Sequence, residues 1–152
     1  FRSKGSFDGG ATALTAVLAE RGLTAPGMVI ADGSGLGGGN KVTCTVLNAV
    51  LDAAGRQSPL AKALAVSGRS GTMKSRVTAA PTVGRVHAKT GTLSQVTSLS
   101  GFVDTARGES VSFAVIVNAP GADAYKDTED LVVTALVDFP TGPDVAGLGP
   151  LG

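Results

Sequence analysis

The stretch VHAKTGTLSQVTSLSGFV, residues 86–103, is rich in β-branched residues and carries a Lys-Thr-Gly triplet at residues 89–91. Segments of the same texture occupy residues 83–92, 94–105 and 109–119. β-Branched residues favour strands, and the polar ARGE turn between the last two segments is typical of a hairpin. We therefore predict three neighbouring antiparallel strands. Because the third segment carries apolar residues on both faces toward its end, it is predicted to be central in the sheet.

Helical patterns precede these strands. Asp8 is followed by a helical pattern with apolar residues on one face, and Thr43 precedes a second apolar stripe that Gly55 ends. A hydroxyl side chain before a helix and a glycine after it are typical boundary residues. Pro59 suits the first turn of a short third helix, PLAKALA. Between the first two helices, GMVIA at residues 27–31 predicts a strand.

The C-terminal part of the chain is predicted to form one more helix, over residues 123–139. Its spacing predicts that four apolar residues face inward, namely Leu131, Val132, Ala135 and Leu136. Three acidic residues near its start suit the helix dipole, and we interpret them as a solvated first turn: Asp127, Glu129 and Asp130. The tail, residues 141–152, is rich in proline and glycine and is predicted to be irregular.

Composition limits the kinds of partner. The chain has 152 residues and a formal net charge of +1, which gives no electrostatic bias toward nucleic acid or a membrane surface. The longest apolar run, SFAVIV, has the length of a strand, whereas a membrane helix needs about 20 residues. The single cysteine, Cys44, cannot form an internal disulfide and is interpreted as a small packed side chain.

The loop ADGSGLGGGN, residues 31–40, contains the pattern G-x-G-x-x-G at Gly33, Gly35 and Gly38. A dinucleotide site needs a helix that starts within this pattern and an acidic residue at the end of a second strand. Here the next helix starts only after Thr43, and no β-α-β alternation follows. A nucleotide site is therefore excluded, and the glycines are predicted to permit tight turns with positive φ.

The Lys-Thr-Gly triplet is one of three motifs of serine acyl-enzymes of the penicillin-binding and β-lactamase type, beside S-x-x-K and S-x-N. Lys89 would supply positive potential for a substrate carboxylate. Thr90 and Thr92 alternate along the strand, so both hydroxyls lie on one side where a carboxylate could accept from them. Gly91 would let a substrate backbone lie against the strand. The backbone N–H of Thr92 would serve as an oxyanion donor, which makes Lys89 and Thr92 the catalytic candidates.

The order of the motifs extends this interpretation. DGSGL, a helix, SGRSGTMKSR, GRVHAKTGTLSQVTSLSGF and VSFAVIVNA follow one another over about residues 5–118. This order resembles the C-terminal part of class C low-molecular-mass penicillin-binding proteins, the D-Ala-D-Ala carboxypeptidases of the S13 peptidase family. The resemblance implies an α/β fold of the serine transpeptidase and β-lactamase type, with an antiparallel sheet flanked by helices, one of them C-terminal. Residues 1–140 would then be the C-terminal part of the catalytic domain.

The resemblance also implies substrate-binding residues and departures from the pattern. The DGSGL loop would line the cleft through Ser34, Gly35 and Leu36, while Leu36 and Leu93 would contact a side chain of the substrate. Lys89, Thr90, Gly91 and Thr92 would complete this set. Where the family usually continues with Ser-Arg, this chain has Gly37 and Gly38. Because this chain lacks that arginine, the resemblance does not imply a preference for a charged residue at the third position of the substrate's stem peptide.

The resemblance implies a peptidoglycan stem peptide ending in D-Ala-D-Ala as substrate, acylation by β-lactam antibiotics, an extracytoplasmic location, and no cofactor or metal. Neither S-x-x-K nor S-x-N occurs in the sequence. Without a serine and its lysine base the chain alone is expected to be inactive. We expect a preceding segment or another chain to carry both motifs. The alternatives left open are a non-catalytic homologue and a β-lactamase-type hydrolase.

Two further groups are interpreted from their chemistry. His87, the sole histidine, shares the strand face of Lys89 and is interpreted as structural, because the acyl-enzyme pattern has no place for it. Arg69, Lys74 and Arg76 are interpreted as a small basic surface near the cleft.

Overall fold

The computed structural model describes residues 5–141, and the predicted irregular tail lies outside the described residues except for Thr141. The elements follow in chain order as α1 Phe7–Glu20, α2 Cys44–Ala54, α3 Pro59–Ala63, β1 Ala65–Val66, a 3-10 helix Gly71–Met73, β2 Val86–Leu93, β3 Val96–Asp104, β4 Ser110–Asn118, a 3-10 helix Ala122–Tyr125, and α4 Lys126–Val137. No helix in this part of the chain has the length and apolarity needed to cross a membrane.

The four strands form one antiparallel sheet in the order β1-β2-β3-β4. The three predicted strands are confirmed, and β2 and β3 pair along their whole length from Val86↔Val103 to Leu93↔Val96. The prediction that the third of them is central is wrong for the described residues, because β4 is the last strand in the order. The strand β1 was missed, because the helical pattern PLAKALA includes Ala65 and Val66 alone gives no strand signal.

The two faces of the sheet carry different helices. On the first, the α4 face, Val86, Leu99 and Phe113 pack with Val133 and Val137 of α4 in the larger buried cluster. On the second, the α2 face, a smaller cluster is formed by Leu51, Ala61 and Phe102. Helices therefore cover both faces of β4, which explains its apolar residues without a further neighbouring strand.

The helix starts agree with their capping chemistry. The Ser6 hydroxyl accepts from Gly9 N–H at 3.0 Å at the start of α1. The predicted cap Thr43 accepts from Val46 N–H at 3.3 Å at the start of α2. Pro59 lies in the first turn of α3, as predicted. Residues 27–31, however, do not form a strand: a single bridge, Val29↔Lys41, is the extent of their pairing.

The inward face of α4 agrees with the prediction only at Leu136, which packs against the larger buried cluster, whereas Ala135 is exposed. Leu131 is 69% exposed and Val132 is 39% exposed, whereas Glu129, Val133 and Val137 are fully buried. These three residues are spaced by four and form one side of the helix. The prediction was wrong because it treated Glu129 as a solvated residue and therefore placed the apolar side of the helix one step away. The buried glutamate is held by Arg76.

The close pairing of β2 and β3 predicts one strong sequence constraint, at Gly101. A β-carbon there would clash with the His87 carbonyl oxygen and lie 2.8 Å from Ala88 Cα. Because these are backbone atoms of β2, the Gly101→Ala variant is expected to be less stable by about 1–3 kcal/mol. Urea unfolding measures this change. The control is Gly10→Ala in α1, where nothing lies within 4 Å and alanine favours the helix. Equal stability of the two variants would contradict the assigned packing.

Candidate active site

The Lys-Thr-Gly triplet lies on an open edge of the sheet. The short strand β1 pairs with β2 at two positions, Ala65↔Ala88 and Val66↔His87. Beyond this point, residues 89–93 of β2 have β3 on one side and, among residues 5–141, no strand on the other. An unpaired strand edge offers N–H and C=O groups to an incoming extended peptide.

The hydrogen bonds at the start of β2 establish which residues face this edge. Asp104 N–H donates to the Arg85 carbonyl on the β3 side at 2.8 Å, and Ser67 N–H donates to the Val86 carbonyl on the β1 side at 2.9 Å. Backbone groups of successive residues point to opposite edges of a strand. The N–H groups of Thr90 and Thr92 therefore point to the open edge, as an oxyanion donor must.

Lys89 is exposed on the α2 face and lines a groove of about 410 Å³ between the sheet and the helices α2 and α3. Its Nζ donates to the Thr90 carbonyl at 2.5 Å. The lysine thus lies in a crevice, at the base of the open edge. A β-carbon at Gly91 would clash with Ser98 Oγ on β3, so the glycine also permits the close fit of the two strands.

The DGSGL loop is built by its own polar side chains. Asp32 Oδ1 accepts from Ser34 N–H at 2.9 Å and from Asn40 Nδ2 at 2.7 Å, while Ser34 Oγ accepts from Leu36 N–H at 3.0 Å. The hydrogen bond from Asn40, followed by those from Ser34, holds the pKa of Asp32 below its ordinary value. Gly33 and Gly35 have φ of +70° and +73°, which agrees with the prediction of tight turns, whereas Gly38 has no positive φ and does not follow it. The loop is thus a folded wall.

The predicted loop residues are only partly brought together. A second groove of about 570 Å³ lies between the loop and the end of the sheet, and it is lined by Gly35 and Leu93. Gly37 and Gly38, which replace the usual Ser-Arg, line it as well. Leu36 is 76% exposed, and neither it nor Ser34 is among the residues that line this groove. Leu47 of α2 borders both grooves, which therefore adjoin on the α2 face.

Sequence reasoning missed a charged cluster on the α2 face. Arg56 follows α2 and donates through Nε and Nη2 to the two carboxylate oxygens of Asp104, at 2.9 and 2.7 Å. Arg56 Nη2 also lies 2.6 Å from His87 Nε2. Arginine can only donate, so His87 Nε2 accepts and its imidazole is neutral. The contact of His87 Nε2 with Asp104 at 3.2 Å is then no ion pair. The cluster attaches the end of α2 to the sheet.

This environment changes the titration of both partners. Burial, and after it the charge of Arg56, lowers the pKa of His87 despite the opposing effect of Asp104. Burial tends to raise the pKa of Asp104, but the hydrogen bonds and charge of Arg56 outweigh it, and the net pKa is lowered. Both side chains therefore keep one charge state near neutral pH, which suits the structural role predicted for His87.

The lowered pKa of His87 gives a testable pH dependence. The unfolded state binds a proton below pH about 6.5 while the folded state resists it, so stability is complete above that value and declines as the pH falls. Replacing His87 by glutamine should flatten this decline. Urea unfolding at pH 7.5 and 5.5 measures it, with Gln57→Asn as a conservative control. An equally steep decline in the His87→Gln variant would contradict the assignment.

In the predicted basic patch, Arg69 and Lys74 are exposed as expected, whereas Arg76 is only partly exposed. Arg76 does not point to a substrate site: its guanidinium donates to Glu129 Oε2 at 3.0 Å, to Asp130 Oδ1 at 2.6 Å and to the Lys126 carbonyl at 3.1 Å. The side chain of Arg76 is 15% exposed and that of Glu129 is fully buried. The arginine thus connects the segment before β2 to α4.

Comparison with known proteins places this geometry in a family. The model of the family described as D-Ala-D-Ala carboxypeptidase 3 (S13) matches residues 2–138. The D-alanyl-D-alanine carboxypeptidase of Actinomadura sp. strain R39 is 33% identical over 144 residues, covering 89% of this chain and 26% of that relative. The D-alanyl-D-alanine carboxypeptidase DacB of Haemophilus influenzae is 32% identical over 123 residues, covering 78% of this chain and 26% of that relative. The chain therefore spans about a quarter of each relative's length.

The fold of this chain also resembles that of a penicillin-binding protein. A crystal structure of penicillin-binding protein 4 from Haemophilus influenzae, in complex with a β-lactam, superposes with a TM-score of 0.79 at 27% identity, covering 91% of this chain and 35% of that one. The predicted α/β fold of the penicillin-binding type, with an antiparallel sheet and a C-terminal helix, is confirmed. Together, the family match and the superposition establish that the chain belongs to the S13 family of D-Ala-D-Ala carboxypeptidases.

Proposed function

We propose that this chain forms one side of the active site of a serine-type D-Ala-D-Ala carboxypeptidase. The observation that carries the proposal is the open edge of β2 in a member of this family: Lys89 lines a groove beside this edge, and the N–H groups of Thr90 and Thr92 point toward it. Such an edge can bind the extended end of a stem peptide by backbone hydrogen bonds. The same groups would bind penicillins, as β-lactams imitate that end.

Each residue of the edge has a chemical task in this proposal. The ammonium of Lys89 and the hydroxyl of Thr90 attract and orient the terminal carboxylate of the substrate. The N–H of Thr92 donates to the oxygen of the penultimate D-Ala carbonyl, on which negative charge develops. Gly35 and Leu93, at the second groove, would contact a side chain further along the stem peptide. Ser34 and Leu36 would contribute from the outer side of the loop.

The nucleophile belongs to a segment outside these residues in our proposal, since the sequence contains no S-x-x-K. The serine oxygen attacks the penultimate D-Ala carbonyl carbon, and its proton passes through the lysine base to the nitrogen of the terminal D-Ala. The C–N bond then breaks, D-Ala leaves, and water hydrolyses the resulting ester. The substrate lies in peptidoglycan, so the protein would act outside the cytoplasmic membrane.

Labelling with a fluorescent penicillin tests this function. The complete polypeptide, containing this chain and the segment with S-x-x-K, should form a long-lived adduct, whereas the 152-residue chain alone should form none. Release of D-Ala from a stem peptide should accompany labelling, and release of a cross-linked peptide would add endopeptidase activity. Rapid turnover of a chromogenic cephalosporin would favour a β-lactamase instead. A complete polypeptide that forms no adduct would favour the non-catalytic homologue.

A further inference from the structure

Thr72 contacts the Lys-Thr-Gly strand from a separate part of the chain. Its Oγ1 lies 2.9 Å from Thr90 Oγ1, although 18 residues separate the two threonines. Thr72 belongs to the 3-10 helix Gly71–Met73, which precedes β2 and lies beside β1. The contact is at the open edge, where β1 has ended and β2 continues. Thr72 is thus the neighbour of the hydroxyl that our proposed function assigns to the substrate carboxylate.

The position of Thr72 is fixed by the residues on both sides of it. Ser70 Oγ accepts from Val66 N–H of β1 at 3.0 Å. Gly71 has φ of +52°, and a β-carbon there would lie 2.9 Å from Ala65 Cβ, so a residue with a side chain would displace this turn. Met73 is fully buried, and its carbonyl accepts from Gly68 N–H at 2.9 Å. Residues 70–73 therefore form an anchored turn, and this turn fixes the position of the Thr72 hydroxyl.

The chemistry of two hydroxyls in contact gives this arrangement a role. Each threonine has one proton to donate and two lone pairs to accept with. If Thr90 donated to Thr72, it would have no proton for a carboxylate. If Thr72 donates to Thr90, the Thr90 oxygen is held in place and its proton is free for the substrate. A bound carboxylate favours the second arrangement, because a hydrogen bond to a charged acceptor is the stronger one.

We infer that Thr72 is a positioning residue for carboxylate recognition: it donates to Thr90 Oγ1 and thereby directs the Thr90 proton to the terminal carboxylate of the substrate. The inference rests on the proposed function, since it specifies how the same site recognises that group. Thr72 itself needs no contact with the substrate. It acts on the part of the free energy of binding that depends on the carboxylate and leaves the attack of the serine unaffected.

Two acyl donors separate these contributions. One is a D-alanyl thioester that ends in a thioglycolate carboxylate, and the other is the same thioester with that carboxylate converted to a methyl ester. In the complete polypeptide, the ratio of kcat/KM for the two compounds measures carboxylate recognition. Thr72→Val, which keeps the shape and removes the hydroxyl, should lower this ratio about fivefold, as the loss of one ordinary hydrogen bond does. Thr72→Ser should restore most of it.

The controls make each outcome decisive. Thr134→Val removes an exposed hydroxyl from α4 and should leave the ratio unchanged. An unchanged ratio in Thr72→Val, with wild-type protein active on both thioesters, would overturn the inference and leave the proposed function intact. An equal loss on both compounds would also overturn it, because a merely structural role has that effect. A wild-type protein that reacts with neither thioester nor penicillin would instead refute the proposed function.

Discussion

Replacing Arg76 by alanine is expected to lower the free energy of unfolding by about 3–5 kcal/mol, because it leaves a buried carboxylate without its partner. The side chain of Glu129 is fully buried, and Arg76 is its ion-pair partner at 3.0 Å. The other carboxylate oxygen, Glu129 Oε1, is buried without a hydrogen-bond partner among the described residues. Without the guanidinium, the buried carboxylate of Glu129 has no counter-charge. Urea unfolding at pH 7 measures the loss.

A second variant separates the buried charge from general damage to the packing. Adding Glu129→Gln to the Arg76→Ala variant removes the uncompensated charge and should recover a large part of the lost stability. Asp130→Asn alone should cost less than Arg76→Ala, since the side chain of Asp130 is 26% exposed and water can replace its partner. If Arg76→Ala stayed within about 0.5 kcal/mol of the wild type, as surface substitutions usually do, the buried ion pair would have no role in stability.

The three long strands and the start of α2 could be predicted because their signals are local. Thr43 is adjacent to the helix it caps, and the richness of residues 86–103 in β-branched side chains is a property of a short segment. The position of β4 in the sheet could not be predicted in the same way. Apolar residues on both faces of β4 indicate that both faces are covered. They do not indicate whether a further strand pairs with its second edge. Here α2 and α4 provide the cover.

The wrong or missing predictions for the charged residues have a common physical cause. Glu129 and Arg76 are 53 residues apart, and Arg56 and Asp104 are 48 residues apart. A carboxylate next to other acids on a helix has the same sequence signal whether it faces water or a distant arginine. The buried face of α4 was therefore placed wrongly, and the Arg56–His87–Asp104 cluster was not foreseen. Only the tertiary fold brings such partners together.

Part of the candidate site could be predicted from the sequence. The triplet with its flanking threonines has a chemical meaning in any strand, and the fold then places this strand at an open edge. Which loop residues face the grooves depends on backbone turns, and these leave the Leu36 side chain largely in solvent. Thr72 had no signal of its own in the sequence. Its role follows from a contact across 18 residues that depends on the anchored turn before β2.

The anchored turn also links the two largest expected effects. Arg76 holds the end of the segment that presents Thr72, and Thr72 contacts the residue next to Lys89. Loss of Arg76 should therefore lower the stability of the fold. It should also weaken acylation, because it changes the position of the open edge of β2. Loss of the Lys89 charge should act on acylation alone, because this side chain is exposed and forms no ion pair among the described residues.

Lys89→Met in the complete polypeptide is accordingly expected to slow acylation by penicillin about 100-fold, since the charge that attracts and orients the carboxylate is lost. The rate of adduct formation with fluorescent penicillin measures this effect. Lys89→Arg should retain part of the rate because it keeps the positive charge, although its planar group has a different geometry. High salt should narrow the difference between the wild type and Lys89→Met, as it screens the attraction at an exposed edge.

The matched control for this variant is Lys62→Met, which removes an exposed lysine from the last turn of α3. It changes the net charge by the same amount, so an equal loss of rate would assign the effect to overall charge and not to the site. The unfolding midpoint of Lys89→Met should equal that of the wild type, because no buried group depends on the ammonium. Unchanged acylation at an unchanged midpoint would remove Lys89 from the active site, and with it the proposal that this strand edge binds the substrate carboxylate.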